Sequence, residues 1–278
     1  MRFCRITGWK GVGIETQFDP ALGGSATHQI TGNTVALCHV GIRLGSGDQK
    51  IIDNTIQGCR DYGLFLPAGV GHNVSAYNHY YGMANSDNDG TAVYNNGSDG
   101  FRSIGDTFAD SHYGYVGVPD ADFCTFYGLY CQRNNRRAML IEGTENTLIG
   151  STFNLPYATN QAPWNDVRSV EITSFRNSIV DSTFWLSNFK SPATPGTGNG
   201  PATAIKVSGD NNRVMNCRIS DFLHPADQAC GIHLVGAVQR FDADVSIWGF
   251  EHAGDVFLKI DSAAIEGVHV TIRGHSDD

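Results

Sequence analysis

The stretch "ITGNTVALCHVGIRLGSGDQKIIDNTIQGCRDYGLFL" spans Ile30 to Leu66 and contains one pattern twice. Placing Ile30 on Ile51, an offset of 51 − 30 = 21 residues, aligns "NTV" (33–35) with "NTI" (54–56) and Cys38 with Cys59. One residue out of step, "GIRL" (41–44) aligns with "GLFL" (63–66). A repeat of this length predicts a fold built from stacked, similar units.

The C-terminal half restarts the same pattern at "TLIGSTFNL" (147–155), "SIVDSTFWL" (178–186), "RVMNCRISDF" (213–222) and "RFDADVSIWGF" (240–250). Segments that alternate apolar and polar residues lie between these lines, such as "AMLIEG" (138–143) and "SVEITS" (169–174). Alternation with period 2 predicts β-strands. Like residues stacked in register predict a parallel β-solenoid, whereas a β-sandwich needs turn signals in pairs at hairpin spacing.

Three columns of equivalent residues are predicted to face the interior of this solenoid. The middle column contains Asn33, Asn54, Ser151 and Ser182, which can form a ladder of side-chain hydrogen bonds from coil to coil. The columns on either side of it are mostly apolar. One contains Thr31, Ile52, Ile149, Val180 and Met215, and the other contains Val35, Ile56, Phe153, Phe184 and Ile219.

With this Asn/Ser ladder and the "N-T-[IVF]…C…G-[IL]-x-L" coil of 33–44 and 54–66, the chain resembles the pectate-lyase-like superfamily, most of all its phage tailspikes and polysaccharide depolymerases. The resemblance runs from about Ile30 to about Gly274. It implies an all-β, right-handed parallel β-helix of about ten coils with loop insertions on one face. The motif specifies architecture and leaves the chemistry open.

The repeat predicts a single β-helix domain over 1–278. We expect an irregular first coil at 1–29, regular coils at 30–75, irregular coils at 76–137 and regular coils at 138–274. Long loops are expected at 156–168, 188–203 and 223–230.

Composition and charge exclude several classes of function. The sequence is 41% hydrophobic with a net charge of −9, and its basic residues cluster only at Arg133, Arg136 and Arg137, which argues against nucleic acid or an anionic membrane as a partner. No apolar run reaches the length of a membrane span. The seven cysteines show no metal-binding spacing and fit reduced core residues, so neither a metal nor another cofactor is expected.

The three expected long loops all lie between the first and second strand segments of a coil, so they should build one wall of a lateral groove. Aromatic and charged side chains in and beside this wall suit a sugar ring. The second strand adds an outward column that runs through Arg43, Phe65, Leu140, Glu171, Lys206, His233 and Lys259. The predicted substrate-binding residues are Tyr157, Trp164, Lys206, His224, Asp227 and His233.

Three carboxylates beside this groove, Glu142, Asp166 and Glu171, are the predicted catalytic residues of a glycoside hydrolase. In such an enzyme one carboxyl group protonates the leaving oxygen, and a second activates water or attacks the sugar directly. Carboxylates one coil apart fit the retaining distance, and those two coils apart fit the inverting distance.

Two other functions stay open. A polysaccharide lyase needs a base and a cation that neutralises an acidic sugar, and "YNHYYG" (77–82), "SHYG" (111–114) and "NNRR" (134–137) offer His79, Tyr80, Tyr81, His112, Tyr113, Arg136 and Arg137 for these roles. "NSDNDG" (85–90) resembles the start of a calcium loop but fits a polar turn better. A spike that holds glycans without cutting them is the third hypothesis.

The resemblance to tailspikes implies a homotrimer that acts on a bacterial surface polysaccharide or another acidic polysaccharide. The N-terminal residues lack the apolar run of a signal peptide, which agrees with assembly in a host cytosol. The expected location is therefore the virion, as part of a phage tail, or another extracellular setting.

Overall fold

The computed structural model describes residues 1–17, 27–83, 90–134, 136–154, 168–187, 202–222, 229–250, 255–261 and 265–275. Within these ranges the chain forms thirty β-strands and no helix, and hence no helix that could cross a membrane. In chain order the strands are β1 Arg5–Thr7, β2 Val12–Glu15, β3 Gln29–Thr31, β4 Thr34–Ala36, β5 Val40–Arg43, β6 Lys50–Ile52, β7 Thr55–Gln57, β8 Tyr62–Leu66, β9 Val74–Ala76, β10 His79–Tyr81, β11 Thr91–Asn95, β12 Arg102–Ile104, β13 Thr107–Ala109, β14 Tyr113–Gly117, β15 Thr125–Tyr127, β16 Tyr130–Gln132, β17 Arg137–Ile141, β18 Thr147–Ile149, β19 Thr152–Asn154, β20 Arg168–Ile172, β21 Ser178–Val180, β22 Thr183–Ser187, β23 Ala202–Val207, β24 Arg213–Phe222, β25 Ala229–Val235, β26 Val238–Gln239, β27 Asp242–Trp248, β28 Val256–Asp261, β29 Ile265–Glu266 and β30 His269–His275.

Successive coils stack in parallel, as the repeat predicts. A typical coil has two short strands in a first sheet and one strand in a second sheet, so that β3 pairs with β6, β4 with β7, and β5 with β8. The first sheet contains 18 strands and the second sheet 10, which matches the expected number of coils. The all-β parallel β-helix predicted from the sequence is therefore confirmed.

The segment 76–137, predicted as irregular coils, continues the register of its neighbours. Strand β10 pairs with β7 and β13, and β14 pairs with β11 and β17. The repeat is hard to recognise there because aromatic residues replace aliphatic ones at core positions. Phe101, Phe108, Tyr115 and Phe126 are all buried in the shared core.

The corners between strands rest on single residues in the left-handed backbone conformation. Between the two first-sheet strands of a coil, this residue is Gly32, Asp53, Tyr77 or Gly105 in four successive coils, with φ from 55° to 66°. The left-handed residue reverses which face the following side chains point to. The predicted inward column that starts at Thr31 and Ile52 therefore lies on the outer face, and the buried column starts at Ile30 and Ile51.

The predicted polar ladder is present inside this corner. The backbone N–H of Asn33 donates to Asn54 Oδ1 at 2.9 Å, and the N–H of Ser151 donates to Ser182 Oγ at 3.2 Å. Asn78 and Asp106 extend the ladder in the coils between, because the N–H of Asn54 donates to Asn78 Oδ1 and that of Asn78 to Asp106 Oδ1.

A second ladder, which the sequence interpretation missed, lies at the corner before the first strand of each coil. The N–H groups of Cys124, Asn146 and Asn177 donate to the side-chain Oδ1 of the asparagine one coil later, at 2.7 to 2.9 Å. Both ladders satisfy backbone donors that the turn leaves without a strand partner, which is a requirement for any buried corner.

Aliphatic, aromatic and cysteine side chains form one continuous core between the sheets. Cys38 and Cys59 occupy equivalent buried positions, and all seven cysteines are free thiols. Burial raises the pKa of the Cys59 thiol to about 12, so this thiol stays protonated and unreactive.

Asp106 carries the one carboxyl group among the described members of the first ladder, and its pKa should make stability depend on pH. Burial raises the pKa of Asp106 to about 6, so the folded chain binds this proton more tightly than the unfolded chain. Stability should fall by ~3 kcal/mol as pH rises from about 4 to above 6. Asp106→Asn should remove this loss, because an amide can still accept from Asn78 and donate to Ser103 Oγ.

Urea unfolding of both proteins across this pH range measures the effect. Asp53→Asn changes an exposed carboxylate at a neighbouring ladder corner and should keep the wild-type pH dependence. An Asp106→Asn protein with the wild-type slope would show that Asp106 is not the group that titrates.

Candidate functional site on the second sheet

The outer face of the second sheet carries two columns of side chains. The register confirms the predicted column and inserts Tyr94 and Val116, so it runs Glu15, Arg43, Phe65, Tyr94, Val116, Leu140, Glu171, Lys206, His233, Lys259. The second column includes Tyr113, Arg137 and Arg168 on adjacent strands.

The side-chain directions in β20 explain why residues of the two columns come into contact. Ser169 and Val170 both point into the core, so Arg168 and Glu171, three positions apart, share the outer face. The positions equivalent to Ser169 in the neighbouring strands also hold small residues, Gly114 in β14 and Ala138 in β17. A Cβ at Gly114 would lie 2.4 Å from the Ala138 carbonyl oxygen, so the backbones pack too tightly there for a larger side chain.

Glu171 lies at the centre of a cluster of cations. Its carboxylate forms ion pairs with Arg168 and Arg137 through different oxygens, and Lys206 Nζ lies 3.7 Å from Oε1. The Glu171 and Arg168 side chains are only 8% and 6% exposed. Both oxygens of this carboxylate are therefore engaged by cations, and the ion pairs hold it in a fixed position.

Tyr113 and Arg136 extend the cluster by one coil. Arg136 Nη1 donates a hydrogen bond to the Tyr113 hydroxyl at 3.0 Å. The guanidinium groups of Arg136 and Arg137 each lie 5.8 Å from the centre of the Tyr113 ring, within the range of a cation–π interaction. We call these six residues, Tyr113, Arg136, Arg137, Arg168, Glu171 and Lys206, the cation cluster.

Among the six described residues of the cation cluster, four side chains are cationic and one is anionic. Burial lowers the pKa of Arg168, and burial together with the positive charge of Arg168 lowers the pKa of Lys206. An anion beside Lys206 would be stabilised by these neighbouring cations, so the cluster suits an anionic ligand.

His233 follows Lys206 in the same column. Its Nε2 lies 2.9 Å from Asp261 Oδ2, and Lys259 Nζ contacts the same oxygen at 2.9 Å. Burial lowers the pKa of His233, which favours the neutral ring at neutral pH. His233 therefore borders the cation cluster as a polar, hydrogen-bonding side chain.

The structure brings some of the predicted site residues together. Glu171, Lys206 and His233 are neighbours in one column, and Glu142 directly follows β17, half-buried, one coil before Glu171. Asp166, Tyr157, Trp164, His224 and Asp227 lie outside the described residues, as does most of each predicted long loop. The strands that flank these loops occupy equivalent places in successive coils.

The residues considered for a lyase divide between different parts of the fold. Tyr113, Arg136 and Arg137 meet in the cation cluster. Tyr80 is buried in the core, and the His112 side chain is only slightly exposed. His79 and Tyr81 lie on β10 in the first sheet, away from the cluster. Among the residues described, no group of three or more His, Cys, Asp or Glu side chains could hold a metal ion.

Arg168 is the main functional residue that the sequence interpretation missed. It was assigned to a loop, although "RAMLI" (137–141) and "RSVEI" (168–172) align without a gap and place Arg168 beside Arg137. That alignment was available from the sequence.

Comparisons with known proteins support the fold class. No protein-family model and no curated protein matches the sequence. Among solved structures, the chain is similar to an alginate lyase from Paenibacillus sp. str. FPU-7, with a TM-score of 0.53 and 12% identity over 97% of this chain and 79% of that one. This likeness shows a shared parallel β-helix fold.

Two further structures match less well. The Dettilon tailspike protein has a TM-score of 0.42 and 10% identity, over 88% of this chain and 60% of that chain. The surface protein and adhesin PfbA of Streptococcus pneumoniae has a TM-score of 0.39 and 10% identity, over 96% of this chain and 85% of that chain.

Glu171→Gln should destabilise the chain, because it leaves the buried Arg168 guanidinium without its counter-charge. We expect a loss of ~3 kcal/mol in the free energy of unfolding, measured by urea denaturation. Glu145→Gln is the matched control, since Glu145 also pairs with an arginine of the next coil, Arg176, at 2.9 Å but on the exposed surface. The control should lose less than ~1 kcal/mol. Equal losses would mean that the Glu171 pairs contribute no more than surface pairs.

Proposed function

We propose that this chain binds an acidic polysaccharide across the outer face of the second sheet and cleaves it there. The observation that carries the proposal is the cation cluster, in which Arg137, Arg168 and Lys206 surround the Glu171 carboxylate and Arg136 lies beside them on Tyr113. The chain as a whole has a net charge of −9, so this grouping of cations contrasts with the overall balance.

An acidic sugar matches the cluster in charge and in shape. Guanidinium groups bind carboxylates through paired, charge-assisted hydrogen bonds, which suits the carboxylate of a uronic acid. The outer columns continue over several coils, so a chain of sugars can lie along the solenoid. Tyr62, Phe65 and Tyr94 stack on one another in the same face, on the two strands directly before β14, which carries Tyr113. Their ring edges provide apolar contact for neighbouring sugars.

The chemistry that best fits this arrangement is β-elimination. Neutralising the carboxylate of a uronic acid acidifies the proton on the adjacent carbon, and the arginines and Lys206 supply that positive charge. In the proposed step, Tyr113 is the general base that takes this proton. The electron pair then forms a carbon–carbon double bond while the bond to the next sugar's oxygen breaks, and Tyr113 returns the proton to that oxygen.

Hydrolysis, the reaction first predicted from the sequence, needs a carboxyl group that can donate a proton. Glu171 is a weak candidate for that role, because both of its side-chain oxygens already form ion pairs with arginines. We assign Glu171 instead to positioning Arg137 and Arg168. Glu142 and Asp166 remain predicted catalytic residues of a hydrolase.

Product analysis on a panel of acidic and neutral polysaccharides tests the function. We expect reducing ends and ultraviolet absorbance of an unsaturated uronate to rise together on an acidic substrate. Tyr113→Phe should lower kcat by about 100-fold or more. Arg137→Ala should lower kcat/KM by a similar factor through the loss of charge stabilisation.

Tyr130→Phe is the matched control, because it removes an exposed phenol from β16 in the first sheet, away from the cluster. It should keep wild-type activity. Reducing ends without the absorbance would instead indicate hydrolysis and return attention to Glu142 and Asp166. Binding without any product would indicate a spike that only holds glycans.

We further propose that the protein acts as a homotrimer on a virion or in another extracellular setting. An apolar column on the outer face of the first sheet supports assembly, since monomers rarely leave long apolar stripes exposed. The column runs through paired residues of six coils, namely Ile52, Ala76, Ile104, Tyr127, Ile149 and Val180, and ends at Met215, which lies beyond the proposed contact.

Ile149→Lys should convert the proposed trimer to monomer, because a charge in the middle of a buried apolar column is costly. Light scattering coupled to size exclusion measures the mass. Thr152→Lys adds the same charge on the neighbouring strand β19 and should leave the trimer intact. A wild-type chain that is monomeric at every concentration would contradict the proposal.

A further inference from the structure

The first sheet changes shape near the C-terminal end of its described part. In earlier coils a left-handed residue bends the chain between two short strands, and Asn216, with φ of 52°, is the last to do so. The next coils run straight through this place as the seven-residue strands β27 and β30. The pairing of β24 with β27 shifts by one residue between Met215 and Cys217. Such a bulge changes strand direction and opens the face of a sheet.

A cavity of about 330 Å³ lies beside this bulge. Its walls come from three adjacent strands in register, with Arg213, Asp242 and His269 in one row and Met215, Asp244 and Thr271 in the next, and with Ala243 between the two aspartates. The volume is at the small end of the range for ligand sites and has room for a monosaccharide-sized group.

The carboxylates of Asp242 and Asp244 project from the same side of β27, because they are two residues apart in one strand. Arg273 Nη2 binds Asp244 Oδ2 at 2.5 Å and orients that carboxylate. Arg213 Nη2 donates to Ser178 Oγ at 3.3 Å, which orients the guanidinium at the other wall. One acceptor, Asp244, and one donor, Arg213, are thus each oriented by a neighbouring side chain.

Charge distinguishes this cavity from the cation cluster. The two aspartates lie beside Arg213 and Arg273, whereas the described side chains of the cation cluster are mostly cationic. A balanced set of fixed acceptors and donors around one thioether suits an uncharged ligand with many hydroxyl groups. Two close carboxylates also disfavour the approach of a uronic acid.

We infer that this cavity is a second carbohydrate site, specific for a neutral sugar unit. The carboxylates of Asp242 and Asp244 accept hydrogen bonds from adjacent sugar hydroxyls, Arg213 donates to a third oxygen, and Met215 covers the C–H face of the ring. The apolar outer column of the first sheet ends at Met215, and Asp244 and Thr271 continue it as polar residues. The site therefore lies on a different sheet from the cation cluster.

Saturation-transfer NMR with neutral cello-, malto- and galacto-oligosaccharides at millimolar concentrations tests this inference. At least one series should bind, and a uronic acid oligosaccharide should not compete for the same site. Asp242→Ala and Asp244→Ala should each weaken binding about tenfold, the effect of losing one charge-assisted hydrogen bond. Asp61→Ala, which removes a partly exposed aspartate from another part of the chain, should have no effect.

The inference is overturned if no neutral sugar binds, or if both aspartate variants bind as the wild type does. It is also overturned if Ca²⁺ alone shifts the resonances of Asp242 and Asp244 while sugars do not. The proposed function is tested separately, because Arg137→Ala should keep neutral-sugar binding and Asp242→Ala should keep activity on acidic polysaccharide.

Discussion

The structure depends on the need to satisfy backbone N–H groups at the buried corners of each coil. Parallel strands satisfy their own donors from coil to coil, but a corner residue has no strand partner. Here a side chain of the following coil accepts the bond. The N–H of Asn33 donates to Asn54 Oδ1, and the N–H of Asn177 donates to Asn212 Oδ1. This requirement keeps the corners in register, and the register in turn aligns every outward column. The site is therefore a consequence of the ladders.

Bulky side chains at the left-handed corners impose a related constraint on the neighbouring coil. The Tyr77 ring lies over Gly105, where an added Cβ would be 2.8 Å from the ring. Leu37 lies over Gly58 in the same way, at 3.1 Å. Because glycine also adopts the left-handed conformation at little cost, one residue type serves both needs. Each coil thus limits the sequence of the next one at the corners as well as in the core.

The sequence predicts the repeat, the Asn33 to Ser182 ladder and the outward column through Glu171 and Lys206, because each depends on residues that recur at equivalent positions. It does not reveal that a single left-handed residue at Gly32 or Asp53 changes the face of the side chains on its two sides, so a plain alternation through the corner puts Thr31 inside. The ion pairs of Glu171 depend on its distances to Arg137 and Arg168 across coils. Spacing along the chain does not determine such distances, and an exposed carboxylate and a paired one look alike in a sequence.

The inner and outer columns are under different physical demands, and this explains how one repeat can hold two unlike surfaces. Inner positions must fill the core and complete the ladders, so they repeat from coil to coil. Outer positions meet only their neighbours in the column, where a charge is tolerated if the adjacent coil supplies a partner, as Arg168 and Lys206 do for Glu171. The second sheet therefore gathers cations, while the first sheet carries an apolar column that changes to Asp244 where the bend is lost. A parallel β-helix can change its surface chemistry in this way without changing its fold.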